Sequence, residues 1–354
     1  MEKNFLISTG GSGGHVVPAI ILHEHLSKEF NVFISTDERG LKYLERKNYK
    51  YKIINTPKLD NIFFFPINLI FIFILTFKSI FLLKKEKIKN VFSTGGYMSL
   101  PVILASRILG SKIYLIEPNL VLGRANRYFL PSCVKIFCYT DELKNFPKNH
   151  RNKIIKINPL VKKNIYASKS LTQKKKEFTL LVVGGSQGAN IFDKNLKNFI
   201  INISKNYSIR VIQQTSENNI YNLKEFYLKN EIENEIFSFK QDFESIIQNV
   251  DLCITRAGAS TLAELSVANI PFIAVPLPTA KDNHQYENAN FYMKKNCCWL
   301  IEQKNFELQI EDVLKSIINN KKVLLEKKKN LEKLNYQNSW INVNQKILKI
   351  LNEN

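Results

Sequence analysis

The sequence predicts an α/β protein of two domains, and three observations predict it. Apolar strand-like runs alternate with helical stretches almost throughout, the pattern of parallel sheets covered by helices on both faces. A glycine-rich loop, Gly10-Gly11-Ser12-Gly13-Gly14-His15, follows the run Phe5-Leu6-Ile7 and leads into a helix. A second, Gly184-Gly185-Ser186-Gln187-Gly188-Ala189, follows Leu180-Leu181-Val182-Val183 in the other half of the chain. In a strand-loop-helix unit, glycines let the backbone approach a phosphate, and the unspent amides and positive end of the helix favour the anion. Twin loops in the same context imply twin domains facing each other across a cleft. That arrangement suits an enzyme holding a nucleotide-linked donor against one domain and an acceptor against the other.

The 354 residues, 45% of them apolar, are enough for two cores. After the first loop, strands are expected at Asn31 to Ser35, Tyr51 to Ile54, Asn90 to Ser93, Lys112 to Ile116 and Val134 to Tyr139. The second set is Phe178 to Val183, Ile209 to Gln213, Glu235 to Phe239, Leu252 to Thr255 and Phe272 to Val275. The polar, Lys-rich stretch Ser168 to Glu177 reads as a linker, and an amphipathic segment, Trp340 to Leu351, closes the chain.

A formal net charge of +20 raises the question of nucleic acid. The excess is mostly Lys spread among abundant Asn and Ile, with no recognised nucleic-acid motif, so it reads as compositional bias. An anionic membrane surface is the partner left for it. The five cysteines are an odd number with no C-x-x-C pair and no His at ligand spacing, which speaks against a disulfide scaffold or a zinc site and for a reducing cytoplasm. The N-terminus lacks the basic flank, apolar stretch and cleavage site of a signal peptide.

The run Ile62 to Leu83 is long enough to cross a bilayer. Pro66, Asn68, Thr76 and Lys78 interrupt it, and a spanning helix would tear apart the sheet on either side. The expected form is a helix partly packed in the core, with an exposed apolar face beside Lys84-Lys85-Glu86-Lys87, lying at a membrane surface. The competing reading is an unusually apolar buried helix.

His15 sits where the first loop becomes a helix. An imidazole there can act as general base toward a sugar hydroxyl, or cap the loop, or hydrogen-bond a phosphate. In the second half, Asp251 to Glu264 again reads strand, turn, helix. Thr261 and Glu264 fit a capping box; alternatively, Glu264 accepts both hydroxyls of a ribose, a reading that the nearby diphosphate loop favours. No D-x-D occurs in the chain. No metal or cofactor is therefore expected, and a diphosphate leaving group would be stabilised by amides and a helix dipole.

GGSGGHVVPA (Gly10 to Ala19), STGGYMSLP (Ser93 to Pro101), VVGGSQGAN (Val182 to Asn190), TRAGASTLAE (Thr255 to Glu264) and KDNHQYENA (Lys281 to Ala289) occur in order. Together they resemble the MurG family of glycosyltransferases over nearly the whole length. The resemblance implies a GT-B fold of two Rossmann-like domains. One, over residues 1–163, would hold a lipid-linked muramyl-pentapeptide at the cytoplasmic face of the inner membrane, with a C-terminal helix about 340–354 packed back on it. The other, over 164–339, would bind UDP-N-acetylglucosamine. The implied reaction is inverting transfer of N-acetylglucosamine to the muramyl 4-hydroxyl in peptidoglycan synthesis.

Carried over residue by residue, Ser12, Gly13 and Gly14 line the site beside the donor sugar, and His15 is the candidate base or acceptor-diphosphate ligand. Asn119 matches a sugar-contacting asparagine, and Ser186 and Gln187 the pyrophosphate loop. Ala259, Ser260, Thr261, Leu262 and Ala263 form the helix start near the phosphates, with Glu264 on the ribose. Gln285 meets the donor sugar, and backbone near Phe239 and Lys240 the uracil. By alignment with the family's apolar patch, Phe63, Ile67, Ile70 and Phe73 meet the lipid surface on one helical face. The chain departs from the family in two places. The family's H-E-Q-N stands here as Ile116-Glu117-Pro118-Asn119, and its G-N-P-V-R as Ile157-Asn158-Pro159-Leu160-Val161-Lys162. Lys162 can stand for the arginine's charge only if one residue is inserted, and it lacks the bidentate fork. A UDP-N-acetylglucosamine 2-epimerase is the rival of related architecture. A nicotinamide dehydrogenase would need a G-x-G-x-x-G spacing that the first loop does not supply.

Overall fold

The structure, a computed structural model, describes residues 3–44, 49–57, 63–167, 177–184, 190–240 and 242–353. The chain divides into two compact units, Met1–Leu160 with Trp340–Asn354, and Val161–Ser339.

In the first unit, β1 (Asn4–Ser8), β2 (Asn31–Thr36), β3 (Tyr51–Ile53), β4 (Ile88–Ser93), β5 (Lys112–Glu117), β6 (Lys135–Cys138) and β7 (Ile154–Lys156) form one sheet in the order β3-β2-β1-β4-β5-β6-β7. In the second, β8 (Phe178–Val183), β9 (Ile209–Gln214), β10 (Glu233–Phe237), β11 (Leu252–Thr255), β12 (Phe272–Ala274) and β13 (Cys298–Leu300) are ordered β10-β9-β8-β11-β12-β13. Every pair of neighbours is parallel. The helices that matter below are α1 (Gly13–Leu26), α2 (Phe65–Lys85), α3 (Leu100–Ile108), α4 (Phe243–Ile247), α5 (Ala259–Val267), α6 (His284–Lys294) and α7 (Trp340–Glu353).

Strand residues are apolar on both faces because both faces are covered. Leu6, Val91, Leu115 and Ile136 pack with Val102 and Ile103 of α3. Phe5, Ile7, Phe92 and Phe137 pack on the opposite side with Leu22 of α1 and with Val343, Ile347 and Leu351 of α7. The second sheet is divided the same way, Leu181, Cys253 and Phe272 against Leu180, Ile254 and Ile273. The edge strands β7 and β13 escape a reading by periodicity because each is three residues long. The strand expected at Glu235 to Phe239 lies two residues earlier, since its polar start, Glu233-Asn234, pairs with Arg210 and Val211 of β9.

The apolar run Ile62 to Leu83 becomes α2, whose first described helical residue is Phe65. Pro66 occupies the first turn, where its missing N–H costs nothing and its fixed φ suits a helix start. Phe63 consequently lies in the turn before the helix rather than on a shared helical face, a correction to the sequence reading. The competing reading of a buried apolar helix is overturned. Only Ile72, Thr76, Ser79 and Leu83 of α2 are buried, in one narrow stripe packed on α3. Thr76 Oγ1 donates to the Ile72 carbonyl at 2.8 Å and Ser79 Oγ to that of Leu75 at 2.8 Å, so the polar atoms of this stripe are satisfied within the helix. Ile80 and Leu82 pack partly on the same core, whereas an outer apolar face is exposed: Ile67 by 50%, Ile70 by 62% and Phe73 by 64%, with Phe63 at 87% just before the helix.

The docking of α7 rests on His25 of α1, which is 1% exposed. Its ring stacks on Trp340 with centroids 3.7 Å apart, and Nδ1 donates to Asn344 Oδ1 at 3.0 Å. Nε2 is buried without a partner, and burial lowers the pKa from 6.5 to about 4 against the opposing pull of the Asn344 bond. The folded protein therefore keeps His25 neutral while the unfolded chain protonates it. The contribution is complete above pH 6.5 and is lost as pH falls toward 4. We expect urea unfolding to show this group costing about 3 kcal/mol between those limits. In His25→Phe the loss of stability on acidification should be smaller by that amount; an unchanged pH dependence would refute the assignment.

Candidate active site

In each sheet the strand order reverses beside the first strand, between β1 and β4 and between β8 and β11. At such a point the crossovers leave in opposite directions and open a crevice at the carboxyl ends of the strands. The residues singled out in the first unit fall on loops after β1, β4 and β5.

The loop after β1 is held from the side by Asp37. This buried carboxylate accepts the N–H of Gly11 through Oδ1 at 2.7 Å and that of Gly40 at 3.0 Å, while Oδ2 accepts Arg39 Nε at 2.9 Å. Arg39 also donates to the Tyr97 hydroxyl. Gly11 has φ +76°, and a Cβ on it would stand 2.7 Å from Met98 Cε; Gly96, at φ +82°, would place one 2.2 Å from Met98 Sδ. Two loops thus close on one methionine, and only glycine fits either position.

Ser12 is the N-cap of α1 and makes no side-chain cap, and the first turn holds no acidic residue. Among the described residues nothing takes the N–H groups of Gly13 and Gly14, leaving donors at the positive end of the helix. His15 stands in that turn, its Nδ1 2.8 Å from the Thr94 carbonyl. A carbonyl oxygen can only accept, so Nδ1 is the donor here and, in the neutral ring, the tautomer leaves the lone pair on Nε2. Gly96 lies beside that nitrogen, its Cβ direction ending 3.5 Å from Nε2.

After β5, buried Glu117 accepts from Asn119 N at 3.2 Å, Asn119 Nδ2 at 3.1 Å, Gly123 N at 2.8 Å and Asn126 Nδ2 at 3.0 Å. The carboxylate folds the loop and orients Asn119. Sequence reading kept Glu117 as part of a motif without a role; its burial at a strand end was the signal available. Asp37 and Arg39 went unnoticed, although an Asp opening a helical turn after a strand marks a cap.

In the second unit, α5 begins at Ala259 behind the N-cap Gly258, which has no capping side chain. The capping-box reading of Thr261 and Glu264 falls, because Thr261 is already inside the helix. Among the described residues the N–H groups of Ala259, Ser260 and Thr261 have no protein acceptor, whereas the Leu262 and Ala263 side chains are core. Glu264 lies in the same helix, 8% exposed, and its carboxylate accepts no hydrogen bond among the described residues. Burial raises its pKa to about 7, with Lys162 drawing it down and Glu244 pushing it up. Lys162 Nζ meets Glu244 Oε2 of α4 at 3.0 Å. Gln285, in the first turn of α6, accepts the Leu277 N–H through Oε1 at 3.0 Å, fixing the loop after β12. The Lys240 side chain turns back to Glu235 and the Phe237 ring. Ser186 and Gln187 lie outside the described residues.

Two family models match the chain: Glycosyltransferase family 28 N-terminal domain over residues 5–138 and Glycosyltransferase family 28 C-terminal domain over residues 179–340. A Pelagibacter ubique (strain HTCC1062) protein is 49% identical over 356 aligned residues that span 100% of both chains. It is named UDP-N-acetylglucosamine--N-acetylmuramyl-(pentapeptide) pyrophosphoryl-undecaprenol N-acetylglucosamine transferase. Among solved structures, Acinetobacter baumannii MurG matches with TM-score 0.77 at 21% identity over 100% of both chains. UDP-GlcNAc 2-epimerase from Neisseria meningitidis, bound to UDP-GlcNAc, matches with TM-score 0.68 at 13% identity, covering 99% of this chain and 100% of that one. At such identities these two structures speak for the fold alone.

Glu117→Ala removes the acceptor of four N–H bonds from the loop after β5. We expect it to lower the unfolding free energy by about 3 kcal/mol, the scale of buried donors left unsatisfied. Denaturant melts of the two proteins check this; a change under about 0.5 kcal/mol would mean that water replaces the carboxylate.

Proposed function

The chain belongs to the MurG family of glycosyltransferases, and from that premise we propose how its residues divide the work of the reaction. The fold is GT-B. The enzyme moves N-acetylglucosamine from UDP-N-acetylglucosamine to the muramyl-pentapeptide pyrophosphoryl-undecaprenol acceptor, a step of peptidoglycan synthesis.

In this reading the second unit holds the donor. Amides of Ala259, Ser260 and Thr261 at the start of α5, together with the loop of Ser186 and Gln187, take the diphosphate, and Glu264 takes the ribose hydroxyls. The Lys240 backbone meets the uracil, and Gln285 keeps its side-chain amide N–H groups for the sugar. Lys162 adds positive charge near Glu264. Ser12, Gly13, Gly14 and Asn119 of the first unit serve the sugar and the acceptor. His15 is the base: Nε2 takes the proton of the muramyl 4-hydroxyl while that oxygen attacks the anomeric carbon from the face opposite UDP, inverting it. Charge that develops on the departing diphosphate falls on backbone donors and a helix N-terminus already in place. The hydrogen bond from Nδ1 to the Thr94 carbonyl carries this assignment, since it leaves the distal nitrogen basic.

The acceptor's lipid fits the outward face of α2. Phe63, Ile67, Ile70 and Phe73 expose apolar area that no part of the described chain covers, next to Lys84, Lys85 and Lys87. On this reading the enzyme is a peripheral protein of the cytoplasmic face of the inner membrane. An epimerase of related fold would have no use for such a face.

Transfer of labelled N-acetylglucosamine from UDP to a lipid-linked muramyl-pentapeptide tests the whole scheme, with His15→Ala as the sharpest variant. Turnover should fall about 10²- to 10⁴-fold while donor affinity holds. Turnover within a few-fold of wild type would remove His15 as base, and a raised acceptor KM with little loss of kcat would make it an acceptor-diphosphate ligand.

Ile70→Ser combined with Phe73→Ser should release the protein from anionic vesicles at high salt and leave its melting temperature unchanged. Each substitution removes about 1.5 to 3 kcal/mol of burial in the lipid. Co-sedimentation that survives both changes would place the lipid contact elsewhere.

A further inference from the structure

Three segments at the carboxyl end of the second sheet are tied into one closed circuit of hydrogen bonds. Arg256, just past β11, is buried, and its Nη1 donates to the carbonyls of Val275 at 3.1 Å and Pro276 at 3.3 Å in the turn after β12. Its Nη2 donates to Gln303 Oε1 at 2.7 Å, and Cζ lies 5.4 Å from the centre of the Phe192 ring. One residue further along that turn, the Leu277 N–H donates to Gln285 Oε1 at 3.0 Å. Asn288 follows Gln285 at the i+3 position of α6, on the same side of the helix. It is buried, and its Nδ2 donates to the Ala257 carbonyl at 3.1 Å. Ala257 is the residue after Arg256, which closes the circuit. Its carbonyl belongs to the peptide leading into Gly258, the N-cap of α5.

The circuit joins the two groups that stand on either side of the bond to be broken in a sugar nucleotide. Gln285 spends its Oε1 on the turn and keeps its amide N–H groups for the sugar, while the N–H groups of Ala259, Ser260 and Thr261 follow directly from the peptide that Asn288 holds. Apolar packing of α6 on α5 is not directional, whereas a hydrogen bond to a buried carbonyl is. We propose that Asn288 is a positioning residue for the donor sugar: by holding the Ala257 carbonyl it sets Gln285 at a fixed offset from the amides of α5, and through that offset the protein distinguishes UDP-N-acetylglucosamine from UDP alone. This inference rests on the assignment of Gln285 to the sugar and of the start of α5 to the diphosphate. Asn288 itself touches no ligand in this scheme; it acts through Gln285.

Calorimetric titration with UDP and with UDP-N-acetylglucosamine tests this. Asn288→Leu keeps the side-chain volume and removes the donor. We expect UDP-N-acetylglucosamine to bind about tenfold more weakly, with UDP affinity held within about twofold. Equal losses for both ligands, or no loss for either, would overturn the proposal. A double-mutant cycle gives a second readout that a merely structural role would not move. In a Gln285→Ala background, Asn288→Leu should weaken UDP-N-acetylglucosamine binding by less than a further twofold or so, because the contact it positions is already gone. A second full loss there would show Asn288 acting independently of Gln285 and would also overturn the proposal. Should Asn288→Leu fail to fold, Arg256→Met opens the same circuit at its opposite link and must show the same split between the two ligands. Gln285→Ala alone separates the layers of argument. If it binds UDP-N-acetylglucosamine as tightly as wild type, the sugar assignment fails and this inference with it. If it loses the sugar nucleotide selectively while Asn288→Leu does not, the assignment stands and only the role of Asn288 falls.

Discussion

Parallel pairing is the constraint on which the rest depends. Two strands that run the same way can be joined only by a crossover, so every connection carries a helix or long loop over one face of the sheet. Where the order reverses, at β1 beside β4 and at β8 beside β11, neighbouring crossovers diverge and the carboxyl ends stay uncovered. The glycine loop after β1, the Thr94 to Gly96 turn after β4 and the start of α5 after β11 all stand at those ends. Among the described residues the N–H groups of Gly13 and Gly14, and of Ala259, Ser260 and Thr261, are unspent for the same reason that the crevice exists: a helix has just begun, and its first turn has no partner within the helix.

Buried carboxylates divide into two kinds in this protein. Asp37 and Glu117 are enclosed by backbone and side-chain donors, the first tying the loop after β1 at Gly11 to its own turn at Gly40 and the second folding its own loop around Asn119. Glu264 is buried, and none of the described residues donates to its carboxylate. A carboxylate in the interior is costly unless hydrogen-bonded, and the donors around the first two meet that condition. The third sits at the edge of ionisation, with its acceptor capacity open. That contrast supports Glu264 as a ligand contact more firmly than motif position does, because it would distinguish the residue even in a chain of unfamiliar sequence.

The sequence made the sheets legible where strands were long and apolar on both faces, as at β1, β4, β5, β8 and β11. It hid β7 and β13, which are too short to show a period. The start of α5 at Ala259 was legible, although a Thr-x-x-Glu pattern there mimics a capping box, while the real N-cap, Gly258, has no side chain to announce itself. His15 was legible as a residue at a loop-helix junction. Its tautomer was not, since the carbonyl that fixes it belongs to Thr94, on another strand. The same holds for Lys162 and Glu244: a pair formed between a connecting segment and α4 leaves no trace in local spacing. What local pattern can encode is the placement of a residue at a strand end; what it cannot encode is which distant group will neutralise it there.

The helix α2 shows the same separation between folding and function on a larger scale. A surface helix of a soluble protein turns its polar face outward. This one faces its protein with Thr76 and Ser79, whose hydroxyls are satisfied by the helix's own carbonyls, and presents Ile67, Ile70, Phe73 and Phe77 to the outside. The stripe of Ile72, Thr76, Ser79 and Leu83 is narrow, so docking on α3 leaves much of the helix's hydrophobic surface unused by the fold. In water that surface would be an association hazard. Under the proposed membrane reading it has a solvent of its own, and the isoprenoid tail of the acceptor is dissolved in that same solvent. The unit that carries His15 would then meet its substrate in two dimensions, with the reactive hydroxyl presented from the membrane surface to a base already held in its working tautomer by Thr94.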